Sequence, residues 1–430
     1  MKGSTAWTGA FATVMVALAC ATPTAAQIGP LTAPRLPGLP SGVTDRLPEV
    51  GRVDGLADRL VDDALRAPSR LTGLARRSRG ALEVDPLGWP VVASEIVAID
   101  LSDDARRAAV EAGYRVLREE RLEALDLTTT VLAPPPRLSL ARAVTRLQAL
   151  APGAEIAFNH VHTPAGETAS ADAARARPGP PPGDARLGLI DTGVDAAHPA
   201  LAGSRVSQRG FAGAPRVGAH GSAVASLMVG RSGAFSGGAP GEALLVADIY
   251  GGEPAGGSST ALAQALAWMV EQDVAVVNVS LVGPRNGLVQ RAVARAQARG
   301  VIVVAAVGNE GPAAPPLYPA AYEGVVGVTG VGARNQALPE AARGPHVDFA
   351  APGADMAAAG AGGGWTSVRG TSFAAPIVAG LLATRGEAVL SEQAADLGAR
   401  GRDPVYGSGL VGTTSRTPPS SVGARGRLRR

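Results

Sequence analysis

The chain has 430 residues, 46% of them apolar and 18% charged, which is the composition of a folded protein even though 56 glycines and 34 prolines supply about a fifth of it. At about 150 residues per domain, this length excludes a single small core and allows two or three domains. The 40 basic residues exceed the 37 acidic ones by only three, spread over the whole chain, so composition gives no case for a nucleic-acid partner.

The chain opens with Lys2, an apolar stretch from Phe11 to Ala19 and the small-residue run Thr24-Ala25-Ala26, the pattern of a signal peptide over residues 1–26. Its removal takes away Cys20, the single cysteine, so the mature chain folds without disulfides. Lipid attachment at Cys20 is the rival reading, disfavoured because Ala17 stands where such boxes usually carry leucine. No later run approaches 18 unbroken apolar residues, so no membrane span is expected after signal cleavage. Residues 27–89, rich in Pro, Gly and Arg with weak helical periodicity over 51–80, read as a linker.

From 90 to 163 the pattern sharpens. VVASEIVAIDL predicts a strand, and Ser102 caps a helix with Asp103 and Asp104 in its first turn. A strand pair follows across Tyr114 to Leu132. Ser139 opens a second helix, with Leu140, Ala143, Val144, Leu147 and Leu150 on one face. AEIAFNHVH closes the unit as a strand. That order is that of a small ferredoxin-like α+β domain. His160 and His162 share a strand face; two surface histidines are expected there rather than a metal pair, and no metal is predicted anywhere in the chain.

Residues 164–184, with Ala-Arg repeats and PGPPPG, predict an exposed joint open to proteolysis. From 185 to 410, the short branched runs RLGLID, ALLVADIY, DVAVVNVSL, GVIVVAAVG and GVVGVTGV alternate with helical spacing over Ser259 to Glu271 and Gly287 to Arg299. This predicts an α/β domain, a parallel sheet with helices on both faces, whose functional residues gather at the carboxyl ends of the strands. Residues 411–430 read as a disordered basic tail.

Three polar residues fall at such junctions: Asp191 after RLGLI, His220 at the start of HGSAVASLMVG, and Ser372 in GTSFAAPIVAGLL. Singly, each has a plain explanation as a turn former or helix cap. Jointly, their chain order Asp, His, Ser is that of the subtilisin triad. Residues 185–410 resemble a subtilisin-like serine protease (subtilase) catalytic domain: DTGVDAAHP its Asp box, HGSAVAS its His box, GTSFAAPIVAG its Ser box, and AAVGNEG the segment that places Asn309 in the family's oxyanion-hole position. NVSLVG resembles the strand flanking the substrate cleft, DFAAPG the loop ahead of the Ser box, and YGSGLV the C-terminal motif. Residues 90–163 resemble the family's inhibitory propeptide, which implies that AEIAFNHVHTPAG reaches the cleft and that cleavage falls between it and Asp184.

The signal-peptide pattern points to a bacterial periplasm or exterior, and the resemblance implies an endopeptidase that processes itself, acts on polypeptides as a monomer without cofactor, and carries its propeptide as an intramolecular inhibitor. Catalysis falls to Asp191, His220 and Ser372, with Asn309 at the oxyanion and Ser280, Leu281, Val282 and Gly283 along the substrate. Val282 stands where the family commonly has glycine, and a side chain there should narrow or reshape the groove. The rival reading is a catalytically latent subtilase-fold binding or scaffold protein; an esterase is disfavoured because no GxSxG surrounds Ser372. His198 and His346 are read as structural.

Overall fold

The computed structural model describes residues 73–168 and 186–424. The expected signal peptide with Cys20, most of the 27–89 linker, the greater part of the 164–184 joint and residues 425–430 lie outside the described residues.

The smaller domain is built from β1 (Leu82–Val84), β2 (Pro90–Ile99), α1 (Asp103–Glu111), β3 (Arg115–Leu122), β4 (Leu127–Ala133), α2 (Leu140–Leu150) and β5 (Glu155–His160). Strand β2 pairs antiparallel with β4 on one side and β5 on the other, with β3 outside β4 and β1 beside the start of β2. This is the ferredoxin-like order the sequence predicts. The Ser102 hydroxyl accepts the Ala105 N–H at 3.3 Å, so α1 is capped as expected, whereas Ser139 makes no side-chain cap on α2.

Successive side chains of a strand point to opposite faces. In β2, Ile96 and Ala98 therefore join Leu140, Ala143, Val144 and Leu147 in the domain's own core. Val97 and Ile99 face the other way and join Leu125, Leu127 and Val131 in a cluster that continues into Leu262, Leu266, Leu288 and Val289 of the larger domain. The apolar run Ile96–Ile99 reflects burial on both faces. The domain also begins earlier than 90: β1 belongs to its sheet, and Ser78 and Asp85 are buried, so residues 73–89 are folded structure and not linker.

The larger domain contains β8 (Leu187–Asp191), β9 (Val206–Gly210), α3 (Ala219–Val229), the hairpin of β10 (Arg231–Ser232) and β11 (Phe235–Ser236), β12 (Leu244–Asp248), α4 (Ser259–Glu271) and β13 (Val276–Val279). After the short β14 (Leu281–Val282) come α5 (Gly287–Ala298), β15 (Ile302–Ala306), β16 (Val326–Val331), β17 (Phe349–Pro352), the hairpin of β18 (Ala354–Ala359) and β19 (Trp365–Arg369), α6 (Ala375–Arg385) and α7 (Glu387–Gln393). Seven strands form a parallel sheet in the order β17-β16-β15-β13-β8-β12-β9. Helices α4 and α5 cover one face, through Ile190, Leu245, Val277 and Val303, and α3 and α6 the other, through Leu189, Val246, Val276 and Val304. Because the chain places β9 and β12 on one side of β8 and then crosses to β13 on the other, the strand order reverses around β8, and a crevice opens at its carboxyl end.

Strands β9 and β17 and the β18–β19 hairpin escape the sequence reading, since VSQRG is polar and FAAP is small, without the branched apolar runs that mark the other strands. The described part of the 411–430 segment is also folded and not a disordered tail: Val411, Ser415 and Thr417 are buried, and the Thr417 carbonyl accepts the Ala357 N–H at 2.8 Å.

Candidate active site

Asp191 is the last residue of β8 and fully buried. The next two residues explain the box around it. Thr192 Oγ1 accepts the Gly221 N–H at 2.9 Å, tying the strand tip to the first turn of α3. A methyl on Gly221 would overlap the Thr192 carbonyl oxygen, and one on Gly193 would overlap that of Arg216. These glycines let two backbones approach closely enough for side chains at 191 and 220 to meet.

His220 is the second residue of α3, a helix buried on every side. Its Nδ1 lies 2.9 Å from both carboxylate oxygens of Asp191, and its Nε2 lies 3.0 Å from Ser372 Oγ. An ionised carboxylate can only accept, so Nδ1 carries the ring proton and Nε2 presents a lone pair to the serine hydroxyl. Ser372 sits in a short 3₁₀ turn, Thr371–Phe373, that leads into α6. Gly370, at φ 138°, sets up that turn, and a side chain there would crowd Asn309 Nδ2 and the Ala165 carbonyl.

Asn309 faces the same point. Its Oδ1 accepts the Thr371 N–H at 3.1 Å, which aims the Nδ2 donor inward. That donor bonds the carbonyl oxygen of Ala165, and the backbone N–H of Ser372 donates to the same oxygen at 3.1 Å. The carbonyl thus lies between two donors beside a nucleophile-type hydroxyl.

Ala165 arrives there because the end of the smaller domain crosses the crevice as an added strand. β6 (Thr163–Pro164) pairs antiparallel with β14, placing Pro164 opposite Leu281 and Thr163 opposite Val282, and β7 (Glu167–Thr168) pairs antiparallel with β19. The Ala165 N–H donates to the Ser280 carbonyl at 3.1 Å. Residues 164–168 are therefore seated in the crevice, in place of the exposed joint the composition predicts. Val282 is buried in the same apolar cluster as the seated Ala165, and its backbone pairs with Thr163. Leu281 likewise turns its side chain into the core beneath α4 and α5.

A protein-family model described as the Subtilase family matches residues 184–397. Thermitase from Thermoactinomyces vulgaris is 32% identical over 222 residues, which cover 49% of this chain and 79% of thermitase. The chain belongs to the subtilase family. Subtilisin from Bacillus pumilus is 29% identical over 53% of this chain and 88% of its own. The crystal structure of fervidolysin from Fervidobacterium pennivorans, a keratinolytic enzyme related to subtilisin, superposes with a TM-score of 0.62, covering 78% of this chain and 63% of that one at 19% identity, a likeness of fold.

Several contacts around the subtilase boxes carry no sequence signal of their own. The Ser280 hydroxyl donates to the Ser372 carbonyl at 2.8 Å and accepts from Asn278 Nδ2 at 2.8 Å, so Ser280 holds the Ser372 backbone as well as the added strand. Asp248, at the tip of β12 beside Asp191, accepts N–H bonds from Arg216, Tyr250 and Gly251 and so fixes the loop that enters α3. Burial pushes the Asp248 carboxyl above its ordinary range despite those bonds. Phe373 lies fully buried, its ring 5.3 Å from that of His220.

His160 and His162 are not surface residues; both are buried. His160 Nδ1 accepts from Asn286 Nδ2 at 3.0 Å and its Nε2 faces Asp85 at 3.2 Å. Burial alone would raise the Asp85 carboxyl, but the bond from His160 and the N–H groups of Trp89 and Leu87 hold it below its ordinary value. His162 Nε2 faces Ser259 Oγ at 3.2 Å instead, so the two rings serve different partners. His198 takes a structural place: its Nδ1 accepts the Ala200 N–H, its Nε2 faces the Gly364 carbonyl at 2.9 Å, and its ring meets Trp365 edge-on.

Proposed function

We propose that this subtilase is an exported serine endopeptidase in which Asp191, His220 and Ser372 form the catalytic triad, Asn309 and the Ser372 N–H form the oxyanion hole, and the domain ending at residue 163 is an inhibitory propeptide that the enzyme removes itself. The observation that carries the reading is the hydrogen-bonded line from Asp191 through His220 to Ser372, ending beside a carbonyl held by two donors.

The chemistry follows from these groups. A serine hydroxyl is a weak nucleophile at neutral pH, so His220 Nε2 takes its proton as Oγ adds to the peptide carbonyl carbon. Asp191 stabilises the imidazolium that forms. The carbonyl oxygen becomes negative in the tetrahedral intermediate, where the Asn309 amide and the Ser372 N–H donate to it. His220 then passes the proton to the leaving nitrogen, the C–N bond breaks, and water releases the acyl group by the same steps in reverse roles.

Inhibition by the attached domain is supported by how it is anchored. Asn159 Oδ1 accepts the Thr260 N–H at 3.2 Å in the first turn of α4, and Arg291 of α5 pairs with Glu155 at 2.8 Å and Asp100 at 3.2 Å. Substrate cannot enter while this strand fills the groove. Export is supported by the pattern of residues 1–26. Among the described residues, no single helix is long and apolar enough to cross a membrane.

Labelling with a serine-directed fluorophosphonate tests the triad. Ser372 of the processed chain should react and the His220→Ala chain should not; no labelling of the processed chain would favour the latent-scaffold reading.

A further inference from the structure

If the triad and hole act as proposed above, the carbonyl resting in the hole identifies a bond. We propose that the enzyme cuts its own chain between Ala165 and Gly166, and that its cleft selects the same pattern in other polypeptides: a histidine three positions before a small residue, and glycine directly after the cut. Ser372 Oγ adds to the Ala165 carbonyl carbon while its proton passes to His220. The Ala165–Gly166 C–N bond then breaks as His220 protonates the Gly166 nitrogen. Water hydrolyses the ester, leaving a carboxylate on Ala165, an amine on Gly166 and the proton back on Ser372.

Glycine after the cut is required sterically. A methyl built on Gly166 would overlap Ser372 Oγ and come within 2.6 Å of Phe373 Cε2. Phe373 cannot withdraw, because its ring is fully buried and lies against His220. It is the residue that narrows the leaving-group side of the cleft.

Histidine upstream is favoured by the slot it fills. The His162 backbone is clamped from both sides: its N–H donates to the Gly257 carbonyl and its carbonyl accepts the Tyr250 hydroxyl, each at 2.8 Å. Its ring is fully buried and occupies the space a side chain at Gly283 would fill, since a methyl there would overlap Nδ1 and lie 2.8 Å from Cε1. The Ser259 hydroxyl donates to the His160 carbonyl at 3.2 Å, which leaves its lone pairs to accept from His162 Nε2–H. A flat neutral ring with one donor fills the space and bonds Ser259, its Nδ1 finding no hydrogen-bond partner among the described residues; an aliphatic side chain leaves the Ser259 hydroxyl with the His160 carbonyl alone.

The full-length wild-type and Ser372→Ala chains are expressed and the newly made ends of any fragments are read by mass spectrometry. A wild-type amino-terminal fragment ending at Ala165, with the Ser372→Ala chain intact, is expected. A cut that needs Ser372 but ends elsewhere overturns the bond assignment while leaving the endopeptidase reading in place. A cut that persists in Ser372→Ala, or no cut in either chain, overturns self-processing, and fluorophosphonate labelling then decides the endopeptidase reading separately. The processed wild-type enzyme is next given peptides containing His-Thr-Pro-Ala-Gly. Replacing the histidine by alanine should lower kcat/KM about 10-fold, and replacing the glycine by valine about 100-fold or more. Phe373→Ala should shrink the valine penalty. Equal rates for the three peptides overturn the selection.

Discussion

The Ser280 hydroxyl donates to the carbonyl oxygen of Ser372 at 2.8 Å, so the residue between β13 and β14 holds the backbone of the proposed nucleophile. Loss of that bond should move the Ser372 N–H away from the oxyanion. Ser280→Ala is expected to lower kcat about 10-fold, the equivalent of one neutral hydrogen bond, with a smaller change in KM because the Ser280 carbonyl that accepts the Ala165 N–H remains. A rise in KM at unchanged kcat would assign Ser280 to binding alone.

Asn309→Leu removes the amide donor from the oxyanion and should lower kcat by about 10²–10³, the magnitude known for loss of this donor in subtilisin itself. The Thr371 N–H also loses its acceptor, so a modest fall in Tm is expected. Turnover within a few-fold of wild type would remove Asn309 from the mechanism.

Gly221→Ala places a methyl against the Thr192 carbonyl, in contact with backbone that has no rotamer to escape into. Destabilisation of about 1–3 kcal/mol is expected from overpacking, together with loss of activity as the start of α3 carries His220 off line. Denaturant unfolding of the variant made in the uncut Ser372→Ala chain separates the two effects.

Seating of the upstream strand should weaken in acid. Burial, and then the neighbouring His160, depress the His162 pKa from 6.5 to about 3, so the seated ring stays neutral where a free one would be protonated. The seated state therefore binds fewer protons between those values. Its stability is fully present above about pH 6.5 and falls as pH drops towards 3, by about 1.4 kcal/mol per pH unit at most. In the uncut Ser372→Ala chain, Tm should decline over this window more steeply than in the same chain carrying His162→Phe. Parallel declines would show that other groups govern the acid response.

The four boxes were legible because the chemistry constrains short stretches of chain. Asp191 must end a buried strand, so it follows RLGLI; His220 must face it at close range, so a glycine follows; Ser372 needs a tight turn, so Gly370 precedes it. The α4 bounds were also readable from the regular helical spacing over Ser259 to Glu271, to which the structure adds Ser258 as the N-cap accepting the Ala261 N–H. What escaped was set by neighbours remote in the chain. Nothing in NHVH tells that Asn286 and Asp85 enclose one ring and Ser259 the other, and the alternation that put both on one face gave no measure of what covers that face.

By itself, then, the sequence marked out the parallel sheet, the α+β fold before it and the candidates Asp191, His220, Asn309 and Ser372, because periodicity and turn chemistry are local. Only the tertiary structure decided that Ala165 lies in the cradle of Asn309 and Ser372, that Gly166 meets the Phe373 wedge, and that His162 is buried where Gly283 leaves room. Those relationships join residues more than a hundred positions apart, and the pairing of β6 with β14 and of β7 with β19 brings them together.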